Sequence, residues 1–474
     1  MAATLRAMFD GLRAFLSTYI AHYRALRRNA RLFLISNSIL NIGTFALFVT
    51  YAIFLQDLGF DTDYQSTLLI VGIVGAVAGL PPAIIVAQRY STRRLLVWSN
   101  LIGGTAFAAQ LVFPVGWVLL VTSFVIGMSA SIYVILTPAL LAANSTNAER
   151  GHLFSLNATL GLLTAMLGTL LGGFLPTLFA QPIVQRFPLI ALGRPLLVHG
   201  SALPLQLSLL FAGALTIPCL WPLILMDDST TDDRIEARVV TAPQRDRWRE
   251  GQRWLAANLR RSTIQRVLHW PATRYAAYLG LIGFGAGLFT TYLNIYFVRD
   301  LHVSTGLFGT ISSAGTLLLA LATLGGPILA ARVGTVRGVV VVQLCSLPLL
   351  VALGLATNVS LIVAIYLTRI IMMDMGQPVL QGFVIGILPR QERITASSVI
   401  NITTQVMMGA GGVISGYANK AHGYGVLFLA AAVCYLAAML LLVPWFGKEQ
   451  SLSQTEDSAP SIVQPQSAAI GSAE

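Results

Sequence analysis

Twelve apolar stretches follow one another along this chain, most of them near the roughly 20 residues that a helix needs to cross a bilayer. They fall at 32–55, 66–88, 95–113, 116–142, 154–179, 206–226, 276–298, 307–331, 338–356, 360–387, 396–418 and 424–446. Ahead of them, Leu5, Phe9, Leu12, Leu16, Tyr19, Tyr23 and Leu26 recur at three- and four-residue spacing. That spacing predicts an amphipathic helix on the membrane face, with Arg24, Arg27 and Arg28 at its end. The polar segments between the stretches divide the chain. Residues 1–31 form a cytoplasmic amphipathic segment, 32–226 a six-helix bundle, 227–275 a linker with interfacial helices, and 276–446 a second six-helix bundle. Residues 447–474 lack apolar periodicity and are expected to be disordered. A Pro-rich, semi-apolar loop at 180–205 is expected on the outer face.

The two bundles are copies. YAIFLQDLGFDTDYQST (51–67) returns 243 residues later as NIYFVRDLHVSTGLFGT (294–310). The same offset carries VAQRYSTRRLLV (86–97) onto LAARVGTVRGVV (329–340), and LGTLLGGF (167–174) onto AGGVISGY (410–417). Glu149 and Arg150 map in the same way onto Glu392 and Arg393. A single long period in a very apolar chain predicts two homologous bundles in one orientation, related by a pseudo-two-fold axis along the membrane normal.

Composition supports a bilayer. Hydrophobic residues make up 55% of the chain and charged residues 10%, too few to cover a soluble surface that ordinarily needs about 25%. The net charge of +11 is explained by placement. Of the 30 Lys and Arg, only Arg186, Arg194, Arg299 and Lys420 fall on the expected outer side and only Arg369 within a span. The rest lie in the segments read as cytoplasmic, so the positive-inside rule puts both termini in the cytoplasm of a cell or inner membrane. Nucleic acid is not an expected partner. Cys219, Cys345 and Cys434 lie in separate spans without metal-ligand spacing. Arg6, Asp10 and Arg13 interrupt the first residues, so no cleavable signal peptide is expected.

Six spans, a long linker, six more spans and a repeated basic loop resemble the major facilitator superfamily over residues 32–446. The family's loop signature has the form Gly-x-x-x-Asp-Arg-x-Gly-Arg-Arg. Here Gln88, Arg89, Ser91, Arg93 and Arg94 stand at its later positions in the first half; Ala331, Arg332, Gly334 and Arg337 stand there in the second. With Glu149, Arg150, Glu392 and Arg393, these are read as a cytoplasmic gate whose pairs form and break. Gly168, Thr169, Gly172 and Gly173 resemble the antiporter motif Gly-Pro-x-x-Gly-Gly, with threonine in the place of proline. Spans one, four, seven and ten line the cavity in this family. The resemblance therefore implies cavity roles for Asn37, Asn41, Thr290, Thr291 and Asn294, and Gln405 joins them as a further polar candidate.

Span ten carries the candidate chemistry. Asp374 is the one carboxylate read near mid-membrane and Arg369 the one cation, and ionisable groups at that depth are functional by default. Asp374, Gln377 and Gln381 would share one face of an unbroken helix, whereas Arg369 would stand about 140° from Asp374. Pro378 can bend that helix. Asp57 and Asp300, equivalent in the repeat, are read as capping or outer-gate residues. There is no GxSxG elbow, HExxH site or Walker loop, so no enzyme activity, cofactor or metal is expected. The reading is an all-α, twelve-helix secondary transporter, expected as a monomer working by alternating access. It would export an amphiphilic or lipophilic small molecule with protons carried by Asp374. The alternatives are uptake of a small polar or anionic metabolite held by Arg369, and movement of lipid or lysolipid.

Overall fold

A computed structural model of the chain describes residues 26–144, 150–182, 198, 200–227, 270–323, 325–388 and 393–458. Among these residues the fold is all-helical, and eleven helices are long and apolar enough to cross a membrane. Their outer surfaces expose Trp98, Trp117, Trp221, Leu355 and Leu440, the apolar exterior that a bilayer covers. The first half comprises α1 (Arg28–Asp57), α2 (Thr62–Arg89), α3 (Thr92–Val112), α4 (Gly116–Ala143), α5 (Arg150–Phe179) and α6 (Leu203–Ile224). The second comprises α7 (Pro271–Asp300), α8a (Thr305–Thr323), α8b (Gly326–Val333), α9 (Thr335–Leu355), α10a (Val359–Asp374) and α10b (Gln377–Ile387). The remaining helices, α11 (393–422) and α12 (Gly423–Phe446), are parted by a non-helical Gly423 at φ 69°. α11 is the helix not counted among the eleven. It is more polar because it is packed between α2 of the first half and α7 of the second.

Within the first half, α2 packs on α4, α3 on α4, and α1 on α5 and α6; within the second, α9 packs on α10a and α8a on α10a. At the end of the first half Asn29 grips Asp227 both ways, donating to its carbonyl at 3.2 Å and accepting its N–H at 3.0 Å. Arg28 completes that clasp with an ion pair to Asp227 at 3.1 Å. The bundle thus closes on itself before the linker leaves.

Two expectations are corrected. Span eight is interrupted at Gly325, a turn residue directly ahead of Gly326 and Pro327 at the start of α8b. The last helix runs on to Ser458, past the edge at 446 where the disordered tail is expected to begin. Within span ten the hydrogen-bond ladder is interrupted at Met375 and Gly376, with Pro378 in the first turn of α10b, while both residues keep right-handed helical angles. The N-terminal amphipathic segment through residue 25, most of the 180–205 loop, the linker from 228 to 269 and residues 459–474 lie outside the described residues.

The duplication is visible in the backbone. Gly59, in the turn after α1, has φ 87°; His302, its equivalent after α7, keeps the left-handed conformation at φ 53° although it carries a side chain. The turn is inherited, and only its residue has changed.

Candidate functional site: the seam between the halves and the broken tenth span

The halves meet along two seams at the end that carries Asp57 and Asp300. Where α2 faces α11, Thr62 donates to the Gly416 carbonyl at 3.1 Å and the Thr67 and Tyr417 hydroxyls pair at 3.0 Å. Ser66, also on α2, pairs with the Tyr292 hydroxyl of α7 at 3.0 Å. Where α5 faces α8a, the Thr169 and Ser313 hydroxyls lie 2.9 Å apart, and Ser313 also donates to the Met166 carbonyl at 2.9 Å. The helices come this close because glycine faces glycine: a Cβ on Gly173 would stand 2.7 Å from the Cα of Gly309.

Between the seams α7 reaches α1. Asn294 is buried and donates to the Val49 carbonyl at 3.0 Å and the Phe48 carbonyl at 3.4 Å. At the rim Arg299 forms an ion pair with Asp57. These bonds all lie between the Asp57 end and mid-membrane. Nearer the linker end, α2 and α11 instead carry exposed Val74, Val77, Ile402, Gln405 and Val406.

The second half holds a buried polar cluster around the break in span ten. Arg369 is 4% exposed; its guanidinium lies over the Phe289 ring at 4.6 Å and near the Tyr435 ring at 5.3 Å, and its Nε has no partner. Aromatic faces offset part of the cost of burying that charge. Asp374, half-buried, is within electrostatic reach of Arg369 and of Tyr278, Tyr366 and Tyr435. Gln343 of α9 donates to the Met373 carbonyl at 3.1 Å and accepts from the Tyr278 hydroxyl at 2.8 Å. Gln377 donates to that same hydroxyl at 3.1 Å, while its own Oε1 has no partner.

The other residues singled out in the sequence are dispersed. Asn37 pairs with Asn157 within the first half at 3.1 Å. Thr290 and Thr291 bond to carbonyls of their own helix, Ala286 and Gly287. Asn41 and Gln381 are half-buried, and Gln405 is exposed on α11. Asp57 belongs to the seam, and Asp300 follows its partner Arg299. Gln88, Arg89, Arg150 and Arg393 occupy helix ends; Arg93 is half-buried and Arg332 and Arg337 are exposed. Glu149 and Glu392 lie outside the described residues. Among the described residues no cluster of His, Cys, Asp and Glu could hold a metal ion.

Sequence reasoning missed Arg299, Tyr292, Ser313, Tyr278 and Gln343. For Arg299 a signal exists: the repeat places it where the first half has Gln56, beside the duplicated aspartate.

Comparison with known proteins gives the family. The Major Facilitator Superfamily profile matches residues 33–373 and 275–472. A bacterial homologue of the human lysosomal transporter Spinster, inward-facing and unoccupied, is 14% identical with a TM-score of 0.61, covering 90% of this chain and 96% of that one. The nucleoside transporter NupG is 13% identical with a TM-score of 0.62, covering 89% and 99%. A proton dependent oligopeptide transporter is 12% identical with a TM-score of 0.60, covering 89% and 99%. At these identities the likeness is one of fold. No curated protein matches the chain in sequence. With the profile matching nearly the whole of both halves, the chain belongs to the major facilitator superfamily.

Proposed function

We propose that the protein is a proton-coupled exporter of amphiphilic or lipophilic small molecules. As a member of this family it is a multi-pass membrane transporter of small molecules and not an enzyme. The observation that carries the proton is the position of Asp374, a half-buried carboxylate at a helix break deep in the second half, beside a buried arginine. A carboxylate so placed can exchange a proton as its surroundings rearrange. The name of one similar structure, a proton dependent oligopeptide transporter, agrees with proton use in this fold.

The bonded seam at the Asp57 end, with exposed side chains on α2 and α11 toward the linker end, supports an inward-open state. In this reading both termini and the linker face the cytoplasm, and the protein works as a monomer in the cell membrane. Asp57, Arg299, Asp300 and Asn294 serve the outer gate. The basic loops, with Glu149, Arg150, Glu392 and Arg393, serve the cytoplasmic one. The preference for apolar cargo rests on the scattering of the polar candidates, since Asn37, Asn294 and Gln377 are engaged within the protein. Val74, Val77, Ile402 and Val406 are the exposed apolar side chains of α2 and α11 toward the linker end.

A thermal-shift panel tests the substrate class, because a ligand that binds the folded protein raises its unfolding midpoint by mass action. Lipophilic cations and lysolipids are expected to stabilise it, and sugars and organic acids are not. Stabilisation by organic acids that is lost in Arg369→Ala would replace export of apolar cargo with uptake of an anion.

A further inference from the structure

We propose that Gln343 is a positioning residue that couples the protonation of Asp374 to bending of the tenth span. It lies on α9, outside the helices that the resemblance assigns to the cavity, and is 1% exposed.

The break in α10 is bracketed by one chain of hydrogen bonds. Gln343 Nε2 holds the carbonyl of Met373, the residue before Asp374. Gln343 Oε1 accepts from Tyr278, whose hydroxyl in turn accepts from Gln377 at the start of α10b. Asp374 thus sits between two anchored positions. Pro378 has no N–H for the Asp374 carbonyl, so the ladder is already weak there.

The neighbouring span is broken at the same level. A Cβ on Gly326, the first residue of α8b, would stand 3.0 Å from the Met375 carbonyl. One on Gly376 would meet Val339 of α9 at 2.7 Å. Two glycine-proline breaks therefore abut, which lets α8b and α10b swing together relative to α8a and α10a. The first half lacks this device. Asn100, the repeat equivalent of Gln343, bonds the Tyr133 hydroxyl at 2.6 Å on an unbroken α4.

The unpartnered Gln377 Oε1 gives the coupling a cause. It is a buried acceptor lacking a donor, three residues from Asp374. A proton on Asp374 creates an O–H that can serve it, whereas an ionised Asp374 offers only acceptors. Losing or gaining that bond changes how tightly α10b is held to α10a. The charged and titratable groups facing Asp374 are Arg369 and Tyr366 on its own helix, Tyr278 on α7 and Tyr435 on α12.

The coupling to protons rests on the proposed function; the hinge does not. The test uses the full chain in lipid nanodiscs, with Cys219, Cys345 and Cys434 replaced and spin labels at Leu361→Cys and Ile387→Cys. Both sites are exposed, one on each side of the break. Pulsed dipolar spectroscopy should find two distance populations that exchange weight between acidic and alkaline buffer. Gln343→Met, which keeps the packing, should lose that exchange, and Tyr278→Phe, which deletes one hydroxyl, should lose it in the same direction. Asp374→Asn, neutral and able to donate, should hold the acid distribution in both buffers.

An unchanged exchange in Gln343→Met, or in Tyr278→Phe should Gln343→Met not fold, overturns the role given to Gln343. A single distribution in the unsubstituted protein overturns the hinge. Full exchange in Asp374→Asn together with its loss in Gln343→Met leaves the hinge standing and moves the proton site away from Asp374.

Discussion

At the scale of single residues, the ion pair and the buried amide at the closed end differ in weight. The Arg299 side chain is 42% exposed and that of Asp57 15%, so their pair contributes at most about 1 kcal/mol. Asn294 is 2% exposed and serves two carbonyls of α1. Its loss removes two hydrogen bonds that tie α7 to α1, at about 0.5–1.5 kcal/mol each. Asn294→Ala should therefore lower the unfolding midpoint in detergent more than Asp57→Asn does, and the reverse order would show that the rim pair dominates the seam. Asp374 and Arg369 are legible in the sequence because a charge inside an apolar run has few innocent explanations. Gln343 and Tyr278 are not, because a polar side chain in a span bonds wherever the fold brings a partner. Only the break in α10, invisible to a 3.6-residue count, makes Gln343 distinctive.

At the scale of elements, the repeated turn offers a controlled comparison. Nothing lies within 4 Å of a Cβ built on Gly59, so the penalty for Gly59→Ala is backbone alone, about 1–2 kcal/mol for a left-handed residue. His302 already bears that penalty. His302→Gly should leave the unfolding midpoint unchanged or raise it, while Gly59→Ala should lower it. Equal losses in both would mean that the His302 side chain earns its place by a contact. The α5–α8a seam makes a second prediction. Gly309→Val would force its side chain into Gly173, costing about 1–3 kcal/mol in the closed arrangement only. At roughly tenfold per 1.4 kcal/mol, the closed population at the Asp57 end should fall several-fold or more. Thiol labelling at Leu307→Cys, an exposed site on α8a near that seam, should then rise. Unchanged labelling would mean that the seam does not control closure. The breaks in spans eight and ten escape hydropathy because Gly-Gly-Pro and Gly-Gln-Pro leave the apolar run intact. α2 carries Pro81 and Pro82 and stays continuous, so proline alone does not announce a break.

At the scale of the molecule, twelve spans and two halves are readable because the bilayer sets helix length and the repeat sets symmetry. The symmetry is incomplete in a way that matters for mechanism. Closure draws on both halves, whereas the interruptions in spans eight and ten, Asp374 and the buried Arg369 lie in the second. The sequence places Asn37, Asn294 and Gln377 as cavity candidates, yet each is engaged in a bond inside the fold; helix number alone does not say which way a side chain turns. The central claim, proton-driven transport through Asp374, is tested most directly in proteoliposomes. With the protein inserted and a pH gradient imposed, a pH-sensitive dye inside the vesicles reports proton movement when the lipophilic cation ethidium is added. The account predicts ethidium-dependent dissipation of the gradient by the unsubstituted protein and none by Asp374→Asn, with both proteins equally folded. Equal dissipation by the two would contradict it.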